Sequence, residues 1–137
     1  MNNINTTIMR LRLRTAGIVL IMIPALFLVF HGLILAGVLP RTIVWGGRLT
    51  DTTFVPLELL AITLNLLLML VGAVAAKVIT APALRTVAKR ITWFLFYFVV
   101  INTVLALFST TTIEVLMTPV TALYALCLYR IARFSED

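Results

Sequence analysis

The chain has 137 residues, of which 62% are hydrophobic and 12% are charged, with a formal net charge of +6. Soluble domains average about 45–50% apolar and about 25% charged residues, so this composition excludes an ordinary soluble domain. The length suits one integral membrane domain, 1–137, with no room for a second.

Long apolar runs fill most of the chain. A helix needs about 20 residues to cross the hydrocarbon core, and in lipid the backbone must satisfy its own hydrogen bonds, as a helix does. The sequence therefore predicts an all-α, four-helix transmembrane bundle in up-down-up-down order. Its spans cover approximately residues 16–38, 57–78, 91–108 and 113–129.

The first apolar run follows Arg10, Arg12 and Arg14, as the core of a signal peptide would. A signal core extends over only about 7–15 residues, however, and this run is longer. We interpret it as an uncleaved first span. It contains Pro24, which favours a kink, and His31 nearer its outer end.

The connection over residues 39–56 contains Trp45, followed by two glycines and Arg48. Adjacent glycines permit a tight reversal, and tryptophan favours the headgroup interface. We expect this loop to cover the outer end of the bundle.

The second span is predicted to begin near Pro56, a favourable first-turn residue. Glu58 and Asn65 lie on one face of this helix together with Gly72 and Ala76. The last two form a small-residue pair that would let a neighbouring helix approach closely. A basic loop, 79–90, follows.

The third and fourth spans contribute further polar residues, namely Asn102 in the third and Glu114 and Thr118 in the fourth. Thr111 precedes Glu114 at the spacing of a capping box, so Glu114 has a purely structural interpretation as well. The short link between these spans predicts that they are antiparallel neighbours.

The distribution of basic residues predicts the topology. If the spans alternate, only Arg41 and Arg48 fall on the outer side, and the other nine fall on the inner side: Arg10, Arg12, Arg14, Lys77, Arg85, Lys89, Arg90, Arg130 and Arg133. The positive-inside rule then places both termini and the loop around 79–90 in the cytoplasm. We expect a multi-pass protein of the cell inner (cytoplasmic) membrane. These residues are expected to meet anionic lipid headgroups rather than nucleic acid.

Polar residues from all four spans are predicted to lie at a similar depth. With a rise of about 1.5 Å per residue, His31, Asn65, Asn102 and Thr118 each lie about 9–12 Å below the outer surface. Polar groups inside a membrane usually face the bundle interior. We therefore expect an outward-opening polar recess whose ligand-binding residues are His31, Trp45, Arg48, Glu58, Asn65, Asn102, Glu114 and Thr118.

Each of these residues also has a simpler interpretation. Asn65 and Asn102 would serve as hydrogen-bonding contacts between helices. His31 would be a neutral histidine bonded to one of those amides. Glu58, in a first helical turn, is favoured by the helix dipole alone, although we expect it to pair with Arg48 or Arg41.

The sequence favours no metal, no cofactor and no particular reaction, and whether the protein is an enzyme stays open. A lone histidine does not provide two axial haem ligands, and one cysteine gives neither a disulfide nor a cysteine-based metal site. The leading hypothesis is binding of a lipid or other amphipathic molecule in the recess. The first alternative is an accessory subunit of a membrane complex, with a membrane-protein partner or a second copy of the chain. The last is a proton-coupled transporter or membrane enzyme using His31 and Glu58.

The pattern from His31 through Val44-Trp45-Gly46-Gly47-Arg48-Leu49 to Asn102-Thr103 and Thr118-Pro119 resembles a family of small four-span bacterial membrane proteins. The resemblance covers nearly the whole chain, and the Trp-Gly-Gly-Arg loop is its most specific element. It implies a four-helix bacterial membrane protein without an assigned activity. The chain departs from the family's Gly-Asn pair in span 3, where it has Leu105 and Ala106, and this weakens a site role for Asn102.

Overall fold

The computed structural model describes residues 12–47, 50–109 and 112–134 of the chain. These residues form four long helices and two short 3-10 turns, with no strand among them. All four helices are long and apolar enough to cross a membrane, as predicted for a multi-pass membrane protein. Their bounds are α1 Leu13–Leu35, α2 Asp51–Ala75, α3 Pro82–Ala106 and α4 Thr112–Phe134, with the 3-10 turns at Arg41–Ile43 and Trp45–Gly47.

Two helices begin well before their predicted apolar runs. Helix α2 starts at Asp51, because the backbone N–H of Thr50 donates to Oγ1 of Thr53 at 3.0 Å and closes its first turn, so Pro56 lies inside the helix. Helix α3 starts at Pro82. Proline is well suited to a first turn, because the N–H that it lacks would have no partner within the helix there. The basic segment predicted as a loop at 79–90 is therefore mostly helical. Hydropathy locates the hydrocarbon-crossing part of a helix, whereas local caps determine where the helix begins.

The helices pack as two antiparallel hairpins. Helix α1 packs most extensively on α2, and α3 on α4, while the contacts of α1 with α4 and of α2 with α3 are less extensive. Leu20, Val71, Leu95 and Leu128 are almost completely buried where the hairpins meet. We call segment 36–47 the outer segment and the end of the bundle that carries it the outer end.

The α1–α2 hairpin is held together by a close backbone approach. A Cβ atom added to Gly17 would lie 2.6 Å from the carbonyl oxygen of Gly72 and 2.6 Å from the backbone nitrogen of Ala76. A Cβ atom on Gly72 would lie 2.6 Å from the carbonyl oxygen of Gly17. The predicted small-residue pair in α2 thus admits a neighbouring helix, which is α1.

Segment 36–47 folds back onto the outer end. Helix α1 ends in a turn with Gly37 at φ +73°, where Val38 donates its N–H to the carbonyl of Leu33 at 2.9 Å. Val44 is 7% exposed and packs with Ile34 of α1 and Phe54 of α2. A small apolar cluster therefore fixes the segment over the α1–α2 hairpin.

Candidate functional site

A buried carboxylate organises the outer end. Glu58 of α2 is completely buried, yet both of its oxygens are hydrogen-bonded. Nδ1 of His31 lies 2.7 Å from Oε2, and Nε1 of Trp45 donates to Oε1 at 2.9 Å. Glu58 thereby connects α1, the outer segment and α2.

These contacts differ from the expected pairing of Glu58 with an arginine. Arg41 instead donates to Asp51 at 2.8 Å, and its guanidinium lies 4.2 Å from the centre of the Phe54 ring. The predicted pair with Arg41 was therefore wrong, and Arg48 lies outside the described residues. His31, likewise, bonds the carboxylate rather than an asparagine amide.

The physical reason for this arrangement is the cost of burying a charge. A buried carboxylate is destabilising unless hydrogen-bond donors surround it. His31 and Trp45 supply such donors from inside the fold, whereas the Arg41–Asp51 pair stays at the exposed surface. Surface ion pairs contribute only about 0–1 kcal/mol, so the exposed pair adds little to the stability of the outer end.

Trp45 adopts an uncommon backbone conformation to reach the carboxylate. Its φ is +55°, in the left-handed region that residues with a side chain rarely occupy. The following turn is completed by Gly47 at φ +69°, whose N–H donates to the carbonyl of Val44 at 2.9 Å. The bond to Glu58 is therefore one of the contacts that hold Trp45 in a strained conformation.

A cavity of about 660 Å³ lies between the two hairpins and beneath the outer segment. We call it the interhairpin cavity. Its deep wall includes Leu95, which lies about 16 Å below the outer end of α3 by helical rise. The polar residues of its wall are His31, Trp45, Asn65, Asn102, Ser109, Glu114, Thr121 and Tyr124. The remaining wall is apolar and rich in phenylalanine.

The predicted site residues do not share one depth. The side chains of His31 and Glu58 are bonded to each other and therefore lie at the same level. The contact between Gly17 and Gly72 fits the same antiparallel alignment of α1 with α2 as the bond between His31 and Glu58. Asn65 consequently lies opposite Pro24, about 10 Å deeper than His31. The polar groups are spread along the interhairpin cavity rather than gathered in one layer.

Both asparagines bond within their own helices. Nδ2 of Asn65 donates to the carbonyl of Ala61 at 2.8 Å, and Nδ2 of Asn102 to that of Phe98 at 2.9 Å. These amide nitrogens therefore bond to their own helices and not to a neighbouring helix as predicted. Both residues line the interhairpin cavity.

Helix α4 contributes different residues from those expected. Thr118 is outside the cavity wall and points its hydroxyl at the carbonyl of Glu114, whereas Thr121, one turn deeper, is part of the wall. Glu114 accepts a hydrogen bond from Oγ of Ser109. Thr111, the other half of the predicted capping box, lies outside the described residues.

Tyr124 is a wall residue that sequence reasoning missed. It is 5% exposed, and its hydroxyl has no hydrogen-bond partner within the described residues. The available signal was its position one turn below Thr121, on the polar side of α4. An aromatic residue in an apolar span is usually packing, so the pattern alone did not distinguish it.

The site contains no cluster suited to a metal. Among the described residues, no three His, Cys, Asp or Glu side chains come together. The available chemistry is hydrogen bonding by amides, hydroxyls and one carboxylate-bound imidazole, within mostly apolar walls. Together with the fold, this defines the class: a small four-helix membrane protein with an open cavity near its outer end.

Comparison of the chain with protein-family models, with curated proteins and with solved structures finds no match. The resemblance of the Trp-Gly-Gly-Arg loop to a bacterial family stays a prediction from the sequence.

Proposed function

We propose that the chain binds a lipid or other amphipathic molecule in the interhairpin cavity. The observation that carries the proposal is the cavity itself. Its volume of about 660 Å³ lies within the range of about 300–1,000 Å³ found for small-molecule sites. Such sites combine apolar walls with a few polar groups that orient the ligand, as this wall does.

The wall composition supports an amphipathic ligand in particular. Every helix contributes to it: His31 from α1, Asn65 from α2, Asn102 from α3 and Thr121 from α4. Phe27, Phe30 and Phe98 contribute the aromatic surface between these groups. A molecule with an apolar body and a hydrogen-bonding part fits both kinds of surface.

The position of the cavity suggests how a ligand would enter from the bilayer. Leu105 and Phe108, which line it near the outer end, are 62% and 80% exposed. Exposed apolar side chains at this height would face lipid in a membrane. We therefore propose entry from the outer leaflet, with Trp45 above the site.

Native mass spectrometry of the purified protein, with lipid extraction, tests the proposal. Ala106→Phe fills the cavity near its outer end, whereas Leu126→Phe adds the same ring on α4 outside the cavity wall. We expect a co-purifying molecule to be lost only from Ala106→Phe. Equal ligand content in both variants and the parent protein would contradict a cavity-bound ligand.

A second pair of variants examines the amides. Asn65→Leu removes a polar group from the wall with little change of volume. Thr63→Val removes a hydroxyl that also bonds its own helix, at Leu59, but is exposed. Reduced ligand content in Asn65→Leu alone supports the proposal. If the parent protein instead co-purifies with a stoichiometric protein partner that the variant loses, and no ligand is found in any sample, the chain would be an accessory subunit.

The contact between His31 and Glu58 favours a second candidate, proton-coupled transport. A buried carboxylate 2.7 Å from an imidazole is a pair in which one proton can move. This candidate predicts proton-dependent uptake by proteoliposomes that His31→Gln abolishes while the thermal stability of the protein is retained.

A further inference from the structure

The end of the bundle opposite the outer segment, which we call the inner end, is strongly basic. The acidic residues in the described part of the chain, Asp51, Glu58 and Glu114, all lie in the outer halves of α2 and α4. Outside the described residues, only Glu136 and Asp137 add acidic groups. The electrostatic field at the inner end therefore favours an anionic partner. The exposed basic residues that the α3–α4 hairpin carries at this end are Arg85, Lys89, Arg90 and Arg133.

A cluster of aromatic rings joins α3 to α4 in the same half of the bundle. Trp93 of α3 stacks on Tyr97 with 6.0 Å between ring centroids, and it meets Tyr129 of α4 edge-on at 6.5 Å. Phe96 also contacts Tyr129, at 5.8 Å. Tyr97 is 60% exposed, so the cluster forms part of the surface that would face lipid in a membrane.

Two exposed basic residues border this aromatic cluster. Lys89 lies one turn before Trp93 on the same side of α3. Arg133 lies one turn beyond Tyr129 on α4, and its guanidinium lies 5.9 Å from the centre of the Tyr129 ring. We call the surface formed by Lys89, Trp93, Tyr97, Tyr129 and Arg133 the α3–α4 inner surface.

The α1–α2 hairpin provides charge at the inner end without aromatic rings. Arg14 and Lys77 are exposed there, as Lys89 and Arg133 are on the other hairpin. However, residues 13–24 of α1 and 64–75 of α2, which form the inner halves of these helices, include no phenylalanine, tyrosine or tryptophan. The combination of exposed charge with rings therefore belongs to the α3–α4 hairpin.

We propose that the α3–α4 inner surface binds an anionic phospholipid from the leaflet at the inner end. Tryptophan and tyrosine favour the level of the headgroups, because their rings contact apolar chains while their polar atoms reach the interface. Basic residues beside a membrane span attract the phosphate of an anionic lipid. The headgroup would lie against Lys89 and Arg133, and the acyl chains would pack along Trp93 and Tyr97.

This surface is separate from the interhairpin cavity. None of its five residues is part of the cavity wall, and the described wall residues of the cavity include no lysine or arginine. The two places therefore differ in the charge that they favour. Binding at the α3–α4 inner surface does not depend on the proposed function, and Ala106→Phe, which fills the cavity, should leave it unchanged.

Native mass spectrometry in a neutral detergent measures the binding of dioleoyl-phosphatidylglycerol and of dioleoyl-phosphatidylcholine. The anionic lipid should bind the parent protein about tenfold more tightly than the zwitterionic one. Lys89→Gln combined with Arg133→Gln should remove this preference, because hydrogen bonds to a charged group are lost. Arg14→Gln combined with Lys77→Gln removes the same charge from the other hairpin and should change the affinity by less than about threefold.

Tryptophan quenching locates the bound lipid. The chain has two tryptophans, so Trp45→Phe leaves Trp93 as the reporter and Trp93→Phe leaves Trp45. Phosphatidylglycerol brominated on its acyl chains should quench Trp93 at about tenfold lower concentration than brominated phosphatidylcholine. Trp45, which lies at the outer end, should show no such difference.

The outcomes separate a site from a general charge effect. An equal loss of affinity in the two glutamine pairs, or equal binding of the two lipids, overturns the inference. Loss of the anionic lipid from Ala106→Phe alone, with anionic preference at Trp45, would place that lipid in the cavity, so the proposed function would stand and this inference would fail. Because Lys89 and Arg133 are exposed, their glutamine pair should also retain the melting temperature of the lipid-free protein; a fall that accompanies the loss of binding would assign these residues a structural role instead.

Discussion

The bond from Trp45 to Glu58 should control the local stability of the outer segment. Trp45→Phe keeps an aromatic ring but removes the N–H that donates to Oε1 at 2.9 Å. A hydrogen bond to a charged group contributes about 1.5–3 kcal/mol. Loss of that amount would raise the population of an opened segment about 10- to 150-fold, since each 1.4 kcal/mol is a factor of ten.

Limited trypsin digestion measures this opening, because Arg41 lies in the first 3-10 turn of the outer segment. When opening is fast relative to cleavage, the cleavage rate follows the open population. Cleavage after Arg41 should therefore accelerate about 10- to 150-fold in Trp45→Phe. Trp93→Phe is the matched control, because Trp93 lies in the half of α3 remote from the outer end. There its ring contacts Phe96 of α3 and Tyr129 of α4. Equal cleavage rates in the two variants would refute the assigned role of the indole N–H.

Three further predictions follow from other contacts. Gly17→Ala should destabilise the bundle by about 1–3 kcal/mol, because the added Cβ meets the backbone of α2. Gly32→Ala, whose Cβ would have nothing within 4 Å, should be neutral or stabilise the helix by up to about 1 kcal/mol. Thermal unfolding in detergent compares the two variants. Arg41→Gln should change the free energy of unfolding by less than about 1 kcal/mol, because its partner Asp51 is exposed. A larger loss of stability in the same unfolding assay would contradict this prediction. With Cys127 replaced by alanine, a membrane-impermeant maleimide applied outside intact cells should label Thr42→Cys and not Ser135→Cys; the reverse pattern would overturn the predicted topology.

The architecture was predictable from the sequence because membrane-spanning helices depend mainly on apolar length. Four apolar runs indicated four helices, and the structure has four in the described ranges. The close approach at Gly72 was also predictable, since small residues on one face of a helix favour tight packing. Helix ends were less predictable. The cap at Thr50 and the first-turn Pro82 extend α2 and α3 beyond the apolar runs.

The sequence brought together residues that line one cavity more readily than it indicated their contacts, and their role in ligand binding stays a prediction. His31, Trp45, Asn65, Asn102 and Glu114 line the same cavity. The partner of Glu58 could not be predicted from charge alone, because a buried carboxylate takes whichever donors the packing brings to it. The depth of Asn65 depended on the register between α1 and α2, which the glycine contact determines and hydropathy does not detect.

The distribution of tight and loose contacts indicates which part of the bundle would move when a ligand enters. The α1–α2 hairpin is held by the backbone contact of Gly17 with Gly72 and by the bond between His31 and the buried Glu58. Separation of these two helices would therefore have a high free-energy cost. The interfaces between the hairpins are smaller, and the cavity lies along them. Opening should therefore occur by displacement of the α3–α4 hairpin relative to the α1–α2 hairpin. A disulfide that joins α2 to α3 near the outer end should slow ligand exchange, whereas one joining α1 to α2 should leave the exchange rate unchanged.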